Sequence, residues 1–413
     1  MRINMKKGIQ MLSLLLLLPL LLTVQSGCTE EIRRPDVTEP LMPDIGPEGT
    51  AGSIPLDQVV RTTVCSAATS VYRIPSIICT ADGTLLVFGE LRHNSWLDKS
   101  HTDVMLRRST DGGATWTTAA NLTSTVNGGS YAFMDPCPIL DPSTGRIFLF
   151  CTRWNKSDTD VTKNRAFLLV SDDNGETWTS PSDITDSILD YSEEARYISG
   201  FGPGHGIAIS SGRYAGRLVL ITRQSNGSTT ACRTLWSDDH GNNWKTGNSV
   251  SSGEAQIAEC GKDKLYLNIR KGAGRNYAFS KDGGANWSTP VTDPSLPTLD
   301  GGCQASVLWT GGDMIFYCGP KGGTATSSND NRQKLTLYRS AVGGLSWSRN
   351  KELYSFASGY SDMVRMPDGR IAIVFEAGDT NGFVKGSSRP AGWLRLDLLV
   401  LPGETADYDY WFE

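Results

Sequence analysis

The stretch STDGGATW at residues 109–116 has three close copies in the chain: SDDNGETW at 171–178, SDDHGNNW at 237–244 and SKDGGANW at 280–287. In each copy, Asp and Ser can satisfy loop amides, Gly can adopt a conformation that other residues avoid, and Trp can pin the turn onto a sheet. The pattern therefore predicts a β-hairpin loop. A fifth copy, SAVGGLSW at 340–347, has Val342 in place of the Asp, and we expect this loop to lack its side-chain cap.

A second repeat sets the number of units. A Gly-containing turn followed by an apolar β run occurs six times, at residues 83–88, 145–150, 216–221, 261–267, 311–317 and 369–375. The repeated tryptophans are roughly 40–65 residues apart, close to the ~40–50-residue period of radial β-repeats with loop insertions. Helical periodicity is almost absent, and radial closure of hairpins removes long exposed edges. We therefore predict an all-β fold, a six-bladed β-propeller over residues 60–413, with its blades between about Val60 and Leu401.

The N-terminal segment has the pattern of an export signal. Residues 1–28 begin with basic residues, continue with an apolar stretch at 11–24, and end with small residues before Cys28. This pattern resembles a lipoprotein signal, in which Cys28 is lipidated; an ordinary cleaved signal peptide is the alternative. Residues 29–59 are rich in Pro and acidic residues, which indicates an extended linker. We expect an exported protein in the periplasm or on the outer surface, held to a bacterial membrane only through lipid on Cys28.

Composition narrows the possible partners. The chain has 413 residues, of which 39% are hydrophobic and 20% charged, which excludes a disordered or multi-spanning membrane protein. The net charge of −5, with no Lys/Arg block beyond the signal, argues against nucleic acid as a partner. An anionic ligand needs a local arginine cluster in such a chain.

Cysteine and histidine usage predicts no metal or cofactor. The 4 histidines are scattered, and neither HExxH nor CxxC occurs, so a zinc or haem site is not expected. Apart from Cys28, two cysteine pairs could each face across a hairpin, Cys137 with Cys151 and Cys303 with Cys318. The simpler interpretation is that these cysteines are small buried hydrophobic residues.

An ordered set of polar residues, together with the repeated loops, resembles the exo-α-sialidases (neuraminidases), a family of six-bladed propellers with Asp-box repeats. The resemblance covers nearly all of the exported domain. The motif YRIP at 72–75 matches the family's Arg-Ile-Pro motif, and the planar fork of Arg73 suits bidentate binding of a carboxylate. The resemblance implies that Arg73, Arg270 and Arg332 hold the substrate carboxylate, with Arg275 as the alternative to Arg270.

The same resemblance assigns the catalytic groups. The stretch GYSDMVRMPDGR at 359–370 matches the motif around the family's catalytic tyrosine, so Tyr360 is the expected nucleophile. Glu254 is expected to be its base, with Glu259 as the alternative. Asp98 is expected to be the general acid and base, with Asp103 as its competitor.

Other residues have supporting roles in this interpretation. The resemblance implies that Arg92 and Asp135 hold a ring hydroxyl and that Met134 helps to form the pocket for the N-acyl group; Asp135 could equally cap a turn. Glu376 is expected to brace Arg73. His205, in GPGHG at 202–206, could contact substrate.

Charge gives a rationale for a tyrosine nucleophile, which is a known exception among retaining glycosidases. Sialic acid carries a carboxylate on its anomeric carbon, so a carboxylate nucleophile would approach like charge, whereas a neutral phenol does not. A phenol of pKa about 10 needs a nearby base to react at neutral pH.

The leading hypothesis is an exo-α-sialidase that releases terminal α-linked sialic acids from glycoproteins, glycolipids or oligosaccharides, with retention and without a cofactor. A trans-sialidase or an intramolecular trans-sialidase would use the same residues. A non-catalytic glycan-binding propeller is the third hypothesis, and the combination of Tyr360, Glu254 and Asp98 argues against it, since binding alone needs no activated tyrosine.

Overall fold

The computed structural model describes residues 59–93, 95–189, 197–326, 330–383, 395–401 and 403. These residues all belong to one compact unit, 34–413. The expected signal, Cys28 and residues 29–58 of the expected linker lie outside the described residues. The helices of the described part are two single turns, α1 (Ser124–Asn127) and α2 (Thr185–Ile188), and a 3-10 turn at Val161–Lys163. None of them is long and apolar enough to cross a membrane.

Strands account for the remaining regular structure and form four hydrogen-bonded sheets that divide into six blades. One long strand, Arg349–Arg365, runs through two blades, and a single parallel pair, Thr102 with Ala132, joins two others. The first strand of the chain is β1 (Val60–Ser66). Blade 1 contains β2 (Val71–Cys79), β3 (Leu85–Arg92), β4 (Thr102–Ser109) and β5 (Ala120–Asn121). Blade 2 contains β6 (Tyr131–Leu140), β7 (Ile147–Asn155), β8 (Arg165–Ser171) and β9 (Ser182–Asp183). Blade 3 contains β10 (Tyr197–Phe201), β11 (Ile207–Ala208), β12 (Leu218–Ser225), β13 (Thr230–Ser237) and β14 (Lys245–Ser251).

The last three blades follow the same order along the chain. Blade 4 contains β15 (Ala255–Glu259), β16 (Leu265–Lys271), β17 (Gly274–Ser280) and β18 (Val291–Asp293). Blade 5 contains β19 (Ser306–Gly311), β20 (Met314–Pro320), β21 (Gln333–Ser340) and the first part of β22 (Arg349–Arg365). Blade 6 contains the second part of β22, β23 (Ile371–Ala377) and β24 (Arg395–Leu401). The predicted all-β, six-bladed propeller is confirmed.

Blade 6 is completed by the beginning of the chain. Strand β1 pairs antiparallel with β24, so the sheet order is β22, β23, β24, β1. The Thr63 hydroxyl also donates a 3.0 Å hydrogen bond to the Asp397 carboxylate, 334 residues away in sequence. The sequence places β1 in the propeller but does not predict this pairing, because nothing local to β1 specifies its partner.

The hydrophobic core lies between neighbouring blades. For example, Phe88 and Leu106 of blade 1 pack with Phe133 and Leu149 of blade 2 in one buried cluster, and similar clusters join blades 2 and 3, 3 and 4, 5 and 6, and 6 and 1. Blades 1, 2, 3 and 6 therefore bury apolar side chains on both faces, which explains the nearly continuous apolar runs of their central strands.

The repeated loops have the expected hydrogen bonds. In the first copy, the Asp111 carboxylate accepts from the Thr115 amide at 2.9 Å, and the Gly113 amide donates to the Ser109 hydroxyl at 2.8 Å. The fifth copy keeps the bond from the Gly344 amide to the Ser340 hydroxyl, at 2.9 Å, but Val342 offers no carboxylate. That loop is therefore held without a side-chain acceptor at its Asp position.

The eight cysteines of the described part form no disulfide. Cys137 lies opposite Phe150 in the β6/β7 pair, and Cys318 lies opposite Ser306 in the β19/β20 pair, so neither faces the cysteine that spacing suggested. Seven are buried and Cys79 is half-buried. They act as small hydrophobic residues, as the simpler interpretation predicts.

Candidate active site

The inner strands of several blades are interrupted by shifts in their pairing register. The pairing register shifts between Arg73 and Ser76 in β2, within β6 and β10, and between Ser358 and Ser361 in β22. Ile74 adopts a positive φ of 51° immediately before Pro75, and Asp135 of β6 repeats this geometry with a φ of 55° before Pro136. Such bulges redirect side chains and are common next to active sites. The inner strands therefore turn polar side chains out of the blade and into a shared cavity.

This cavity has a volume of about 700 Å³. Arginine side chains from four blades dominate its lining, together with three carboxylates and one tyrosine. It is lined by Arg73, Arg92, Asp98, Met134, Asp135, Arg223, Glu254, Arg270, Arg332 and Tyr360, and at its loop side by Trp96, Leu97, Lys99 and Trp154. The local arginine cluster that an acidic chain needs for an anionic ligand is thus present.

Tyr360, at the inner edge of blade 6, is tied to blade 4. Its hydroxyl donates a 2.5 Å hydrogen bond to Glu254 Oε1. Arg270 Nη1 donates to the Tyr360 oxygen at 2.8 Å and to Glu254 Oε2 at 2.7 Å. The phenol, the carboxylate and the guanidinium therefore form a closed triangle in which the phenol oxygen both donates and accepts.

The charges in this triangle favour a neutral phenol beside an ionised carboxylate. Burial raises the pKa of Tyr360 well above its usual value, and Glu254 adds to the effect, while Arg270 and Arg332 oppose it. Burial also acts to raise the pKa of Glu254, but Arg270 and Arg223 outweigh it and bring the pKa below its usual value. Glu254 can therefore accept the phenolic proton at neutral pH.

The three arginines predicted to bind a carboxylate surround Tyr360. The Arg73 and Arg332 guanidinium carbons lie 5.4 Å and 5.7 Å from the centroid of the Tyr360 ring, and Arg270 contacts its hydroxyl. The three guanidinium groups line the same cavity, where a planar anion can meet more than one guanidinium fork.

Glu376 holds two elements of this centre together. Its Oε1 accepts from Arg73 Nε at 2.9 Å and from the Ile74 amide at 3.0 Å, and its Oε2 accepts from the Tyr360 amide at 3.2 Å. A side chain at Gly359 would collide with the Glu376 carboxylate and displace it from the contacts that it makes beside the tyrosine. Glu376 therefore positions both Arg73 and the backbone of Tyr360.

Asp98 lies on the loop between β3 and β4, across the cavity, and its side chain is 67% exposed. Its Oδ1 is 2.6 Å from Arg92 Nη1 and 3.8 Å from Arg73 Nη1. Partial desolvation acts to raise the pKa of Asp98, but Arg92 and Arg73 outweigh it and lower the pKa. An anion bound to Arg73 would reverse part of this effect, because it would offset the positive charge that stabilises the Asp98 carboxylate.

Two further charged residues support the cavity and were not selected from the sequence: Arg223 lines it, and Glu90 is buried and bonds to two of the lining residues. Glu90 Oε2 accepts from Arg92 Nη2 at 2.7 Å, and Glu90 Oε1 accepts from the Asp135 amide at 2.9 Å. Arg223 Nη2 forms an ion pair with the Asp135 carboxylate. Burial raises the pKa of Asp135 to about 7, against the opposing effect of Arg223. Asp135 is thus an ion-pair partner in the lining, and Met134 lies beside it at the cavity surface.

Glu90 and Arg223 share a signal that could have identified them. Each is a charged residue in a strand that begins with a buried apolar run, LLVF at 85–88 before Glu90 and LVLI at 218–221 before Arg223. A charge in a buried strand needs a partner, which makes it a candidate for a site.

The alternative residues lie elsewhere. Glu259 accepts from the Ser210 amide at 3.0 Å, and Arg275 donates to the Cys303 carbonyl at 2.6 Å; neither lines the cavity. Asp103 is buried in blade 1, where the Thr123 hydroxyl donates to it at 2.7 Å. The structure thus brings together Tyr360, Glu254, Asp98 and the three chosen arginines, and it leaves these alternatives out.

His205 is also outside the cavity. Its Nδ1 lies 2.9 Å from Asp362 Oδ1, which also accepts from Gln256 Nε2 at 2.6 Å. This buried group joins the inner strands of blades 3, 4 and 6 rather than facing the space where a ligand would bind.

The comparisons with known proteins agree with this fold. A family model described as a BNR repeat-like domain matches residues 92–373. A sialidase of Bacteroides fragilis (strain YCH46) is 30% identical over 341 residues, which is 74% of this chain and 60% of that protein. A sialidase of Paraclostridium sordellii is 29% identical over 337 residues, 74% of this chain and 81% of that protein. The structure of the Hadza microbial sialidase Hz136, 24% identical, superposes with a TM-score of 0.66 over 80% of this chain and 65% of that one, which shows a shared fold.

Fold and cavity define a β-propeller with an arginine-lined central cavity. The chain belongs to the sialidase family, within the group that carries the BNR repeat-like domain. It spans 60% of the length of the Bacteroides fragilis relative.

Proposed function

We propose that this chain is an exo-α-sialidase that hydrolyses terminal α-linked sialic acids of glycoproteins, glycolipids or oligosaccharides, with retention of configuration and Tyr360 as the nucleophile. One observation carries the proposal. The Tyr360 hydroxyl is hydrogen-bonded to an ionised Glu254 in a cavity where Arg73, Arg270 and Arg332 converge. A site that only binds glycans needs the arginines, but it has no use for a phenol coupled to a base.

Substrate binding follows from the positions of the arginines. The sialic acid carboxylate would lie against Arg73, Arg270 and Arg332, and the anomeric carbon that carries it would then lie beside the Tyr360 hydroxyl. Because these guanidinium groups are held by Glu376, Glu254 and the Gly302 carbonyl, their geometry is preorganised before substrate arrives. The carboxylate also brings negative charge to Arg73, which raises the pKa of Asp98 and favours its protonated form.

The first chemical step forms a covalent intermediate. Glu254 takes the phenolic proton as the Tyr360 oxygen bonds to the anomeric carbon, and Asp98 gives its proton to the departing glycosidic oxygen. Arg270 Nη1, 2.8 Å from the phenol oxygen, stabilises the negative charge that develops there.

The second step reverses the roles. Asp98, now ionised, removes a proton from a water molecule that attacks the anomeric carbon from the side the glycan left. The bond to Tyr360 breaks, and Glu254 returns the proton to the phenol oxygen. Two inversions give net retention.

Hydrolysis of a fluorogenic α-sialoside by the purified protein tests the proposal, with Tyr360→Phe measured in parallel. Proton NMR of the first product distinguishes retention from inversion and free sialic acid from an anhydro-sugar or a transfer product. Release of the α-anomer by the wild type and loss of turnover in Tyr360→Phe would support the proposal.

Two other outcomes would replace the proposal. An anhydro-sugar or transfer product would mean a trans-sialidase that uses the same residues. Binding of sialosides with no turnover on aryl or natural substrates would mean a glycan-binding propeller.

We also propose that the protein is exported and lipid-anchored through Cys28, on the basis of the N-terminal pattern alone. Labelling of cells with a fatty-acid analogue, followed by fractionation of the full chain and of Cys28→Ser, tests this. Label on the wild type that is lost with Cys28→Ser supports the anchor, and unlabelled protein released in both cases excludes it.

A further inference from the structure

Two histidines and one aspartate that belong to no metal-binding sequence motif meet at the base of the β3–β4 loop. His93 Nε2 lies 2.9 Å from Asp103 Oδ2, and His101 Nε2 lies 3.7 Å from the same oxygen. The two imidazole rings are stacked with centroids 4.1 Å apart. All three donor atoms lie within 4.8 Å of one another. The sequence predicts no such cluster, because its histidines do not have metal-site spacing.

The spacing of these donor atoms suits a small metal ion. A tetrahedral Zn²⁺ with bonds of about 2.0–2.1 Å has ligand atoms roughly 3.3 Å from one another. The observed separations bracket this value, so small rotations of the imidazoles would complete the geometry. Two neutral imidazole nitrogens and one carboxylate form a ligand set that favours Zn²⁺, whereas hard cations favour oxygen ligands.

Neighbouring residues hold Asp103 by hydrogen bonds, while the two histidines remain partly exposed to solvent. Asp103 Oδ1 accepts from the Thr123 hydroxyl and from Asn127 Nδ2, each at 2.7 Å, which fixes the carboxylate and leaves Oδ2 directed at the histidines. Such outer hydrogen bonds are typical supports of metal ligands. The histidine side chains are 29% and 31% exposed, whereas that of Asp103 is 5% exposed, so an ion can enter from solvent.

An ordinary histidine–aspartate hydrogen bond explains the position of His93 but not that of His101. His93 alone satisfies Asp103 Oδ2, while the 3.7 Å separation of His101 Nε2 is too long for a hydrogen bond. A simple pair of this kind exists elsewhere, where His240 Nδ1 lies 2.8 Å from Asp141 Oδ2. The second imidazole, directed at the same oxygen, is what distinguishes the cluster.

We propose that His93, His101 and Asp103 bind a divalent metal ion of the zinc class, with the fourth coordination position open to water. The two histidines sit at opposite ends of one loop, where the His93 amide donates to the His101 carbonyl at 2.9 Å. The ion would therefore tie together the two ends of the loop that carries Asp98. Binding itself does not depend on the proposed sialidase activity; only its effect on turnover does.

Metal binding by the full chain tests the proposal directly. Chelator-treated protein is dialysed, then titrated with Zn²⁺ by calorimetry and with Co²⁺ by visible absorption, which reports tetrahedral coordination. The variants are His101→Gln and His93→Gln, and the matched control is His240→Gln, which removes the simple His–Asp pair. Thermal unfolding is recorded for each protein with and without Zn²⁺.

We expect one Zn²⁺ per chain for the wild type and for His240→Gln, with an increased unfolding midpoint and a tetrahedral Co²⁺ spectrum. Each cluster variant should bind at least about 10-fold more weakly and lose the midpoint increase. Equal binding by the wild type and both cluster variants, or no binding by the wild type, would overturn the proposal. If one cluster variant does not fold, the other decides the result.

Discussion

The two sides of the candidate site are built in different ways. Tyr360 and Glu254 lie at the inner edges of blades 6 and 4, where the phenol is buried and hydrogen bonds link it to its base and to Arg270. Asp98 lies on a loop, is 67% exposed, and is held by ion pairs with Arg92 and Arg73. The side that carries the proposed nucleophile is held by hydrogen bonds before substrate binds, whereas the side that carries the proposed acid depends on charges that a bound anion would alter. Substitutions should therefore affect the two sides differently.

The largest effect is expected for Tyr360→Phe. The substitution keeps the ring and its packing but removes the oxygen that would attack the anomeric carbon, so kcat/KM should fall by about 10³-fold or more. Kinetics with a fluorogenic sialoside measure this fall. Tyr338→Phe, a buried tyrosine of β21 that does not line the cavity, is the control and should keep its activity. Comparable losses in the two variants would remove the distinction between the nucleophile side and the rest of the core.

Asp98→Asn should have a smaller effect, and one that depends on the leaving group. We expect kcat/KM to fall by about 10²-fold on a sialyl-oligosaccharide, whose glycosidic oxygen needs a proton, and by much less on an aryl sialoside. Parallel assays on the two substrates test this. Asp172→Asn, with a side chain 65% exposed beside Arg146, matches Asp98 in exposure and should be neutral. An equal loss on both substrates would argue that Asp98 only binds.

Asp135 lies between the two sides, and its charge should appear in the pH dependence of stability. Its pKa is raised to about 7, above the value of about 3.9 in an unfolded chain. Between these values the folded state binds more protons than the unfolded state, so stability falls as pH rises from about 4 to about 7. Asp135→Asn should remove this decrease, at most about 1.4 kcal/mol per pH unit.

Urea unfolding at several pH values from 5 to 8 measures the difference in slope between the wild type and Asp135→Asn. Asp173→Asn is the control, since the pKa of Asp173 is lowered to about 2 by hydrogen bonds from Thr177 and its titration lies outside this range. Parallel stability curves for the wild type and Asp135→Asn would show that Arg223 keeps Asp135 ionised throughout.

The smallest effect on activity is expected for a substitution in the β3–β4 loop, which carries Asp98. Lys99 Nζ lies 3.9 Å from the Trp154 ring centroid, a contact that holds the residue next to Asp98 against blade 2. Lys99→Ala should loosen the loop and lower kcat/KM a few-fold, with a stability change of about 0.5–1 kcal/mol. Lys264→Ala removes a similar contact with Phe279, at 4.3 Å, and should cost stability without affecting kcat/KM. A loss of activity in both variants would mean that the loop is not the sensitive element.

The same contrast explains how much the sequence could predict. The loop repeat predicts the blades because each copy is closed by bonds within a few residues, as between Asp111 and Thr115. Tyr360 and Arg73 are recognisable because distinctive motifs surround them. Glu90 and Arg223 are not, because no distinctive motif surrounds them and both contact Asp135, which belongs to another blade. The His93–His101–Asp103 cluster depends on a strand pairing and a loop return that spacing alone does not reveal.

Some details of the site come from backbone geometry that no residue type dictates. Ile74 is β-branched, a kind of residue that rarely adopts a positive φ, yet it does so between Arg73 and Pro75. The Ile74 amide bonds to Glu376, 302 residues away in sequence, which offsets the strain. The residues of this segment alone predict a regular strand. The bulge depends on the contact with Glu376, which exists only in the folded propeller.

The pairing of β1 with β24 has a consequence for how the molecule is made. A chain that emerges N-terminus first presents β1 early, yet its partner strand is among the last described segments to appear. The edge of β1 therefore remains unpaired while the other blades are synthesised. Because its partner is so distant in sequence, this pairing is expected to be slow. A chain that stops short of residue 395 would keep blade 6 open and its strand edges exposed to proteases. The pairing of β1 with β24 therefore distinguishes complete chains from truncated ones, since only chains that include β24 can close the ring of blades.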